Sequence, residues 1–206
     1  MLRISDFTPL GVVKISNFVV KIQDWLEGLV VWPVLLYRRL RYGYTFRRIR
    51  MAQPKYAKVD PADYKRLRKY KFIARKGTSC FYAQMLEPNV ITSKKVLHMH
   101  QIILEVPDGL IVDHINNDGM DNRSANLRAA TRAQNSRNRK KFPRKCSSKY
   151  KGVYLHKSSL KWQARIMFEK KRIYLGYFKN EIDAAKAYDE AAKKYHGEFA
   201  CLNFPE

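Results

Sequence analysis

Within residues 150–206, apolar and polar side chains alternate in three successive runs and then switch to helical spacing, an order that few folds accept. Val153 and Leu155 alternate with Tyr154 and His156; Trp162, Ala164, Ile166 and Phe168 alternate with Gln163, Arg165 and Met167; Ile173 and Leu175 alternate with Arg172 and Tyr174. Neighbouring side chains of a strand point to opposite faces, so this patterning predicts three half-buried antiparallel strands. Asn180 then precedes Glu181, Ile182 and Asp183, an N-cap with an acidic first turn. Ile182, Ala185, Tyr188, Ala192 and Tyr195 recur at helical spacing and Gly197 supplies the stop. One helix is expected to pack on the apolar sheet face. The opposite face, Tyr154, His156, Gln163, Arg165, Met167, Arg172 and Tyr174, interleaves basic and aromatic groups and suits phosphate contact and base-edge readout. A merely solvated polar face is the plainer alternative.

Charge narrows the partner. The 206 residues hold 41 Lys and Arg against 18 Asp and Glu, a net +23, which favours polyanions: nucleic acid first, an anionic membrane surface second. Nothing in this balance suits a small-molecule metabolic enzyme. A hydrophobic content of 46% is enough for packed cores and argues against wholesale disorder. Cys80, Cys146 and Cys201 are odd in number and form no CxxC pair, so neither a disulfide framework nor a zinc knuckle is expected. No signal peptide is evident, and an intracellular protein (cytoplasm or nucleoid), not a secreted one, is expected. The longest apolar run, Leu29 to Tyr37, is interrupted by Pro33 and too short to span a bilayer. It reads as a buried helix of a small N-terminal subdomain, with an interfacial amphipathic helix flanked by Arg38 and Arg39 as the alternative.

The chain divides by pattern into an N-terminal extension (1–50) of unassigned role, a segment of short strand-like runs and an Asn/Asp-rich loop (51–138), a basic linker (139–149) and the C-terminal segment (150–206). The linker is marked by Arg139, Lys140, Lys141, Pro143, Arg144, Lys145 and Ser147–Ser148. Within 51–138, DPADYKRLRKY predicts a short helix, and FIARK with CFYAQ a hairpin around Gly77 whose basic face touches phosphates. Leu97 to Leu104 reads as a strand, Pro107–Asp108–Gly109 as a turn, and Leu110 to Val112 as a strand delivering Asp113 and His114 at its end. After a polar loop, Asn126–Leu127–Arg128 returns as a short strand. Thr131 with Gln134 forms a capping box opening a helix that carries Asn135 and Asn138.

Those residues suit phosphodiester hydrolysis, which needs an activated water, a cation on the phosphate and help for the leaving oxygen. Asp113 offers a hard oxygen ligand and Asn135 an amide oxygen, an arrangement suited to Mg²⁺. His114 faces the other way on an extended strand and can take a proton from water. Asn126 could hold the loop or the imidazole through hydrogen bonds.

Two family resemblances follow from these motifs. KYKGVYLHKSSLKWQARI, RIYLGYF and EIDAAKAYDEAAKKYHGEFACLNFP, in that order, resemble the APETALA-two/ethylene-response-factor (AP-two/ERF) DNA-binding domain over about sixty residues. That resemblance implies a sheet in the major groove, with Lys151, Tyr154, His156, Arg165, Met167, Arg172 and Tyr174 touching DNA. Tyr154, His156 and Met167 differ from the family's usual arginine or tryptophan, so the plant recognition sequence does not carry over. Upstream, Asp113–His114, Asn126 and Asn135, with VDH, NLR and QNxxN, resemble the HNH nucleases, most closely the phage and intron homing-endonuclease branch. That likeness implies a ββα-metal fold with one divalent ion, Asp113 and Asn135 as ligands, His114 as general base, Asn126 as the middle Asn and Arg132 as a phosphate contact. His100 matches a histidine common in the branch.

The combined expectation is an α+β chain: a ββα-metal HNH nuclease core, then a three-stranded antiparallel sheet packed on one helix. Its activity would be Mg²⁺-dependent hydrolysis of double-stranded DNA of the homing type, with Mn²⁺ able to substitute and no other cofactor; a membrane partner is not expected. A DNA-binding transcriptional regulator with an inactive nuclease core is the alternative. A basic RNA-binding or ribosome-associated protein is a third reading on charge alone.

Overall fold

The computed structural model describes residues 28–86, 96–141 and 146–205. The chain forms two compact units, Met1–Arg47 and Arg48–Glu206. In the first unit, residues 28–42 are helical. Leu29, Val30, Trp32, Val34, Leu36, Tyr37 and Leu40 are all exposed on this helix (α1), so the expected burial of the apolar run does not occur among the described residues. No described helix is long and apolar enough to cross a membrane.

Strands β1 (Arg47–Arg50) and β2 (Tyr56–Val59) pair as one ribbon, and β3 (Phe72–Lys76) and β4 (Phe81–Met85) as the expected hairpin, with α2 (Pro61–Leu67) between the ribbons. Their inward residues, Ile49, Met51, Ala57, Val59, Leu67, Phe72, Ala74 and Ala83, close a single core with Met99. Met99 belongs to α3 (Met99–Ile103), where a strand over Leu97–Leu104 was expected. Two facts explain the difference. Gln101 would fall on the apolar side of a strand, whereas Met99, Ile102 and Ile103 share one helical face and meet the core. Gln101 Oε1 also accepts the His98 backbone N–H at 3.0 Å, securing the first turn.

The next three elements form a ββα unit. β5 (Ile111–His114) pairs antiparallel with β6 (Leu127–Ala130), placing Asp113 opposite Arg128 and His114 opposite Leu127. α4 (Arg132–Asn138) follows, opened by the expected capping box: the Thr131 hydroxyl accepts from Gln134 N, and Gln134 Oε1 accepts from Thr131 N. The loop between β5 and β6 is bound to the core, because Lys58 N donates to Met120 O and Asn122 N to Lys58 O, both at 2.8 Å.

The C-terminal sheet has the order β7 (Val153–His156), β8 (Lys161–Phe168), β9 (Lys171–Phe178) and packs on α5 (Glu181–His196). Val153, Ala164 and Ile166 meet Ala184, Ala185, Tyr188, Ala191 and Ala192. So many alanines let the helix lie close to the sheet. Gly152, at φ 74°, marks the limit: a Cβ there would stand 1.9 Å from the Tyr188 ring. Ile182, expected on this face, is exposed. Asn180 occupies the N-cap position without a side-chain bond to the helix backbone; its amide donates to Asp183 Oδ2 instead, at 3.1 Å. The chain end is bound back by Asp189, which accepts the backbone N–H groups of Asn203 and Phe204.

Candidate active site and nucleic-acid interface

One cavity of about 190 Å³ collects the chemistry-bearing residues of the ββα unit. β5 brings Asp113 and His114 to it, α4 brings Asn135, Arg139 follows directly after α4, the β3–β4 turn contributes Thr78, Ser79 and Cys80, and β4 contributes Tyr82. Asp113 is buried and strongly engaged: its Oδ2 accepts from Arg128 Nε at 3.0 Å, and Asn138 Nδ2 lies 3.1 and 3.0 Å from its two oxygens. Arg128 Nη2 is also 2.9 Å from Oδ2, close enough for charge pairing but without hydrogen-bond alignment.

His114 is buried, with Nε2 3.3 Å from Asn122 Oδ1. Burial pushes its pKa below the ordinary imidazole value, against the Asn122 hydrogen bond and the charges of Asp113, Asp118 and Asp121. His100 packs edge-on to it, ring centroids 5.1 Å apart, and stacks on His98 at 5.2 Å. Burial, with His114 and His98 nearby, lowers the His100 pKa to about 3. Burial likewise raises the Tyr82 hydroxyl to about 12. The histidines are thereby kept neutral.

Asn126 holds the loop and not the imidazole. Its Oδ1 accepts Asn116 N at 3.0 Å, and its Nδ2 donates to Asn116 Oδ1 at 3.0 Å and Asp121 O at 2.7 Å. Burial, the largest single influence, would raise the pKa of Asp121, but two 2.7 Å hydrogen bonds from the Arg123 side chain, the charges of Arg123 and Lys58 and the Arg123 backbone N–H together outweigh it and hold the carboxyl below its usual value. Arg132, the expected phosphate contact, is exposed at the start of α4 and is not among the cavity-lining residues; Arg139, one turn beyond Asn135, is. As a metal site the donor set is sparse. Asp113 and Asn135 are hard oxygen donors on one cavity, and among the described residues no group of three or more His, Cys, Asp or Glu could hold an ion. An ion here would depend on those two side chains and on phosphate oxygens.

On the C-terminal sheet, Tyr154, Met167, Arg172 and Tyr174 are exposed, and His156 and Arg165 half-exposed. Arg165 stacks 3.8 Å over the Tyr154 ring. The register shifts between Ala164 and Arg165, setting Ala164 opposite Gly176 and Arg165 opposite Tyr174, with Gly176 at φ 129°. That irregularity carries Tyr177 to the exposed face, where its hydroxyl accepts from Gln163 Nε2 at 2.9 Å. Lys151 is the exception to the expected face. Its ammonium donates to Arg139 O at 2.7 Å and to Arg137 O, and burial lowers its pKa.

Reading the sequence alone missed Arg128, Asn138, Asn122, Arg139 and Tyr177 as parts of these sites. Asn138 carried a signal, being the second Asn of QNxxN, and Arg128 closes NLR; Tyr177 had none, because a bulge defeats strict alternation.

Residues 105–137 match the family model for HNH endonucleases, and residues 148–198 match that of the AP2 domain. The β5–β6–α4 unit falls within or beside the first match and the sheet with α5 within the second. Curated relatives match the C-terminal part. APETALA2-like protein 2 of rice (Oryza sativa subsp. indica) is 50% identical over 60 residues, 28% of this chain and 14% of that protein. Ethylene-responsive transcription factor WRI1 of Arabidopsis thaliana is 46% identical over 59 residues, again 28% of this chain and 14% of the relative. The matched segment is therefore a small fraction of each relative's length.

Proposed function

We propose that the protein is a DNA endonuclease of the HNH homing type, with 51–138 as nuclease domain, 139–149 as connecting segment and 150–206 as target-binding domain. The observation that carries this reading is the shared cavity of Asp113, His114, Asn135 and Arg139 on a ββα unit. A divalent ion, Mg²⁺ by its preference for hard oxygens, would be held by Asp113 and Asn135 and would neutralise charge on the phosphate. Its lowered pKa keeps His114 neutral near pH 7. With Nε2–H donated to Asn122, Nδ1 is the atom left to receive the proton of the attacking water. Asn126 keeps the loop shaped around that imidazole, and Arg139 offers its charge to the phosphate. The exposed sheet face, Tyr154, His156, Arg165, Met167, Arg172, Tyr174 and Tyr177, would read duplex DNA.

One observation favours the second reading, a DNA-binding regulator with an idle nuclease core: Arg128 and Asn138 already occupy both oxygens of Asp113. Supercoiled plasmid incubated with the purified chain and Mg²⁺, with and without chelator, decides between them. Chelator-sensitive nicking supports the endonuclease; tight DNA binding without nicking at any Mg²⁺ or Mn²⁺ concentration supports the regulator.

A further inference from the structure

Three lysines and arginines lie with their charged ends not toward solvent but against the joint between the ββα unit and the C-terminal sheet. Lys151 caps the end of α4, donating to the carbonyls of Arg137 and Arg139. Lys141 reaches the opposite way, to Tyr150 O at 2.7 Å and Val153 O at 3.3 Å. Arg128, on β6, donates to Glu198 O at 2.6 Å and lies 3.9 Å over the buried Phe199 ring. Free helix-end carbonyls need donors, and a desolvated ammonium needs acceptors, so these contacts are demanding in both directions. Surface pairs that open freely would leave the ammonium in water; Lys151 is half-buried, and burial lowers its pKa.

We infer that the sheet module is clamped to the nuclease core through these contacts and does not hang from a flexible tether, so that the bases it reads stand at a fixed spacing from the bond that is cut. The cut-spacing part rests on the proposed endonuclease reading; the clamp itself does not.

Tether and clamp differ in magnitude. An eleven-residue flexible connection has an end-to-end spread of roughly 18 Å, about five base-pair steps. The clamp confines cleavage to about one.

The test has two readouts on the full chain. Backbone ¹⁵N relaxation without DNA or metal should give one rotational correlation time for β3–β6 and for α5. It should remain single when four Gly-Ser residues are inserted after Lys141, because an insertion there leaves the clamp contacts in place. Combining Lys151→Met with Phe199→Ala should split it in two. Distinct times in the unmodified chain, a split caused by the insertion alone, or a single time in the double variant would each overturn the clamp. If the double variant does not fold, the unmodified and lengthened chains still decide. Mapping cleavage ends on bound DNA then reads the spacing: ends within about one base pair for the unmodified and lengthened chains, spread over about five for the double variant. Absence of cutting would count against the endonuclease reading alone, while the relaxation result stands by itself.

Discussion

Replacing Arg128 with alanine removes the guanidinium from a carboxylate that is 3% exposed, and that isolation sets the size of the effect. Truncating one partner of a buried ion pair costs about 3–5 kcal/mol, because the remaining charge is left unpaired in a poorly polarisable interior. Asn138 would still donate to both Asp113 oxygens, which argues for the lower end of that range. Losing the stack on Phe199 adds about 1 kcal/mol, and losing the hydrogen bond to Glu198 O about 1 kcal/mol more. The sum, about 5 kcal/mol, equals the whole stability of a marginal domain. The cause can be isolated with Asp113→Asn. In the Arg128→Ala background it removes the stranded charge and should restore about 2 kcal/mol, whereas alone it should destabilise; the coupling in the double-mutant cycle is therefore about 2–3 kcal/mol. Urea unfolding in chelator, followed by far-UV circular dichroism, measures all four proteins. A loss below about 1 kcal/mol for Arg128→Ala, or no recovery on adding Asp113→Asn, would refute the idea that the pair holds this site together.

His114→Ala should slow nicking by about 10²- to 10⁴-fold while gel-shift affinity barely moves, and no metal titration should restore it, since what is lost is proton removal. Acid should destabilise the fold. The folded pKa of His100 is lowered to about 3, so its contribution is complete above the ordinary value near 6.5 and is lost as pH falls below it. At pH 5 the loss from this histidine is about 2 kcal/mol, with His98, His114 and His196 adding in the same direction, and urea midpoints measured from pH 7 to 5 check it. Arg172→Ala should reduce the salt slope of DNA binding by about one unit, whereas Lys151→Met should lower the unfolding midpoint and leave that slope nearly unchanged. Equal salt slopes for Arg172→Ala and the unmodified chain would remove the sheet from the interface.

Local pattern carried the elements whose side chains face one clear boundary between core and water. The strands of the C-terminal sheet, the β3–β4 hairpin, the Thr131 capping box and the Asp113–His114 strand end were all readable, because alternation and caps act within a few residues. Residues 97–104 were misread because two periods compete there, and only the core built by Phe72, Ala83 and Leu67 selects the helical one. Roles decided by distant partners were not legible. Whether Lys151 meets phosphate or the end of α4 depends on contacts fourteen and twelve residues back in the chain. Whether Asp113 is a bare carboxylate or a paired one depends on Arg128 and Asn138, fifteen and twenty-five residues away. Sequence thus determined which chemistries and elements the chain possesses. Tertiary structure determined which charges remain free to act, because burial and pairing are properties of what surrounds a group, not of the group itself.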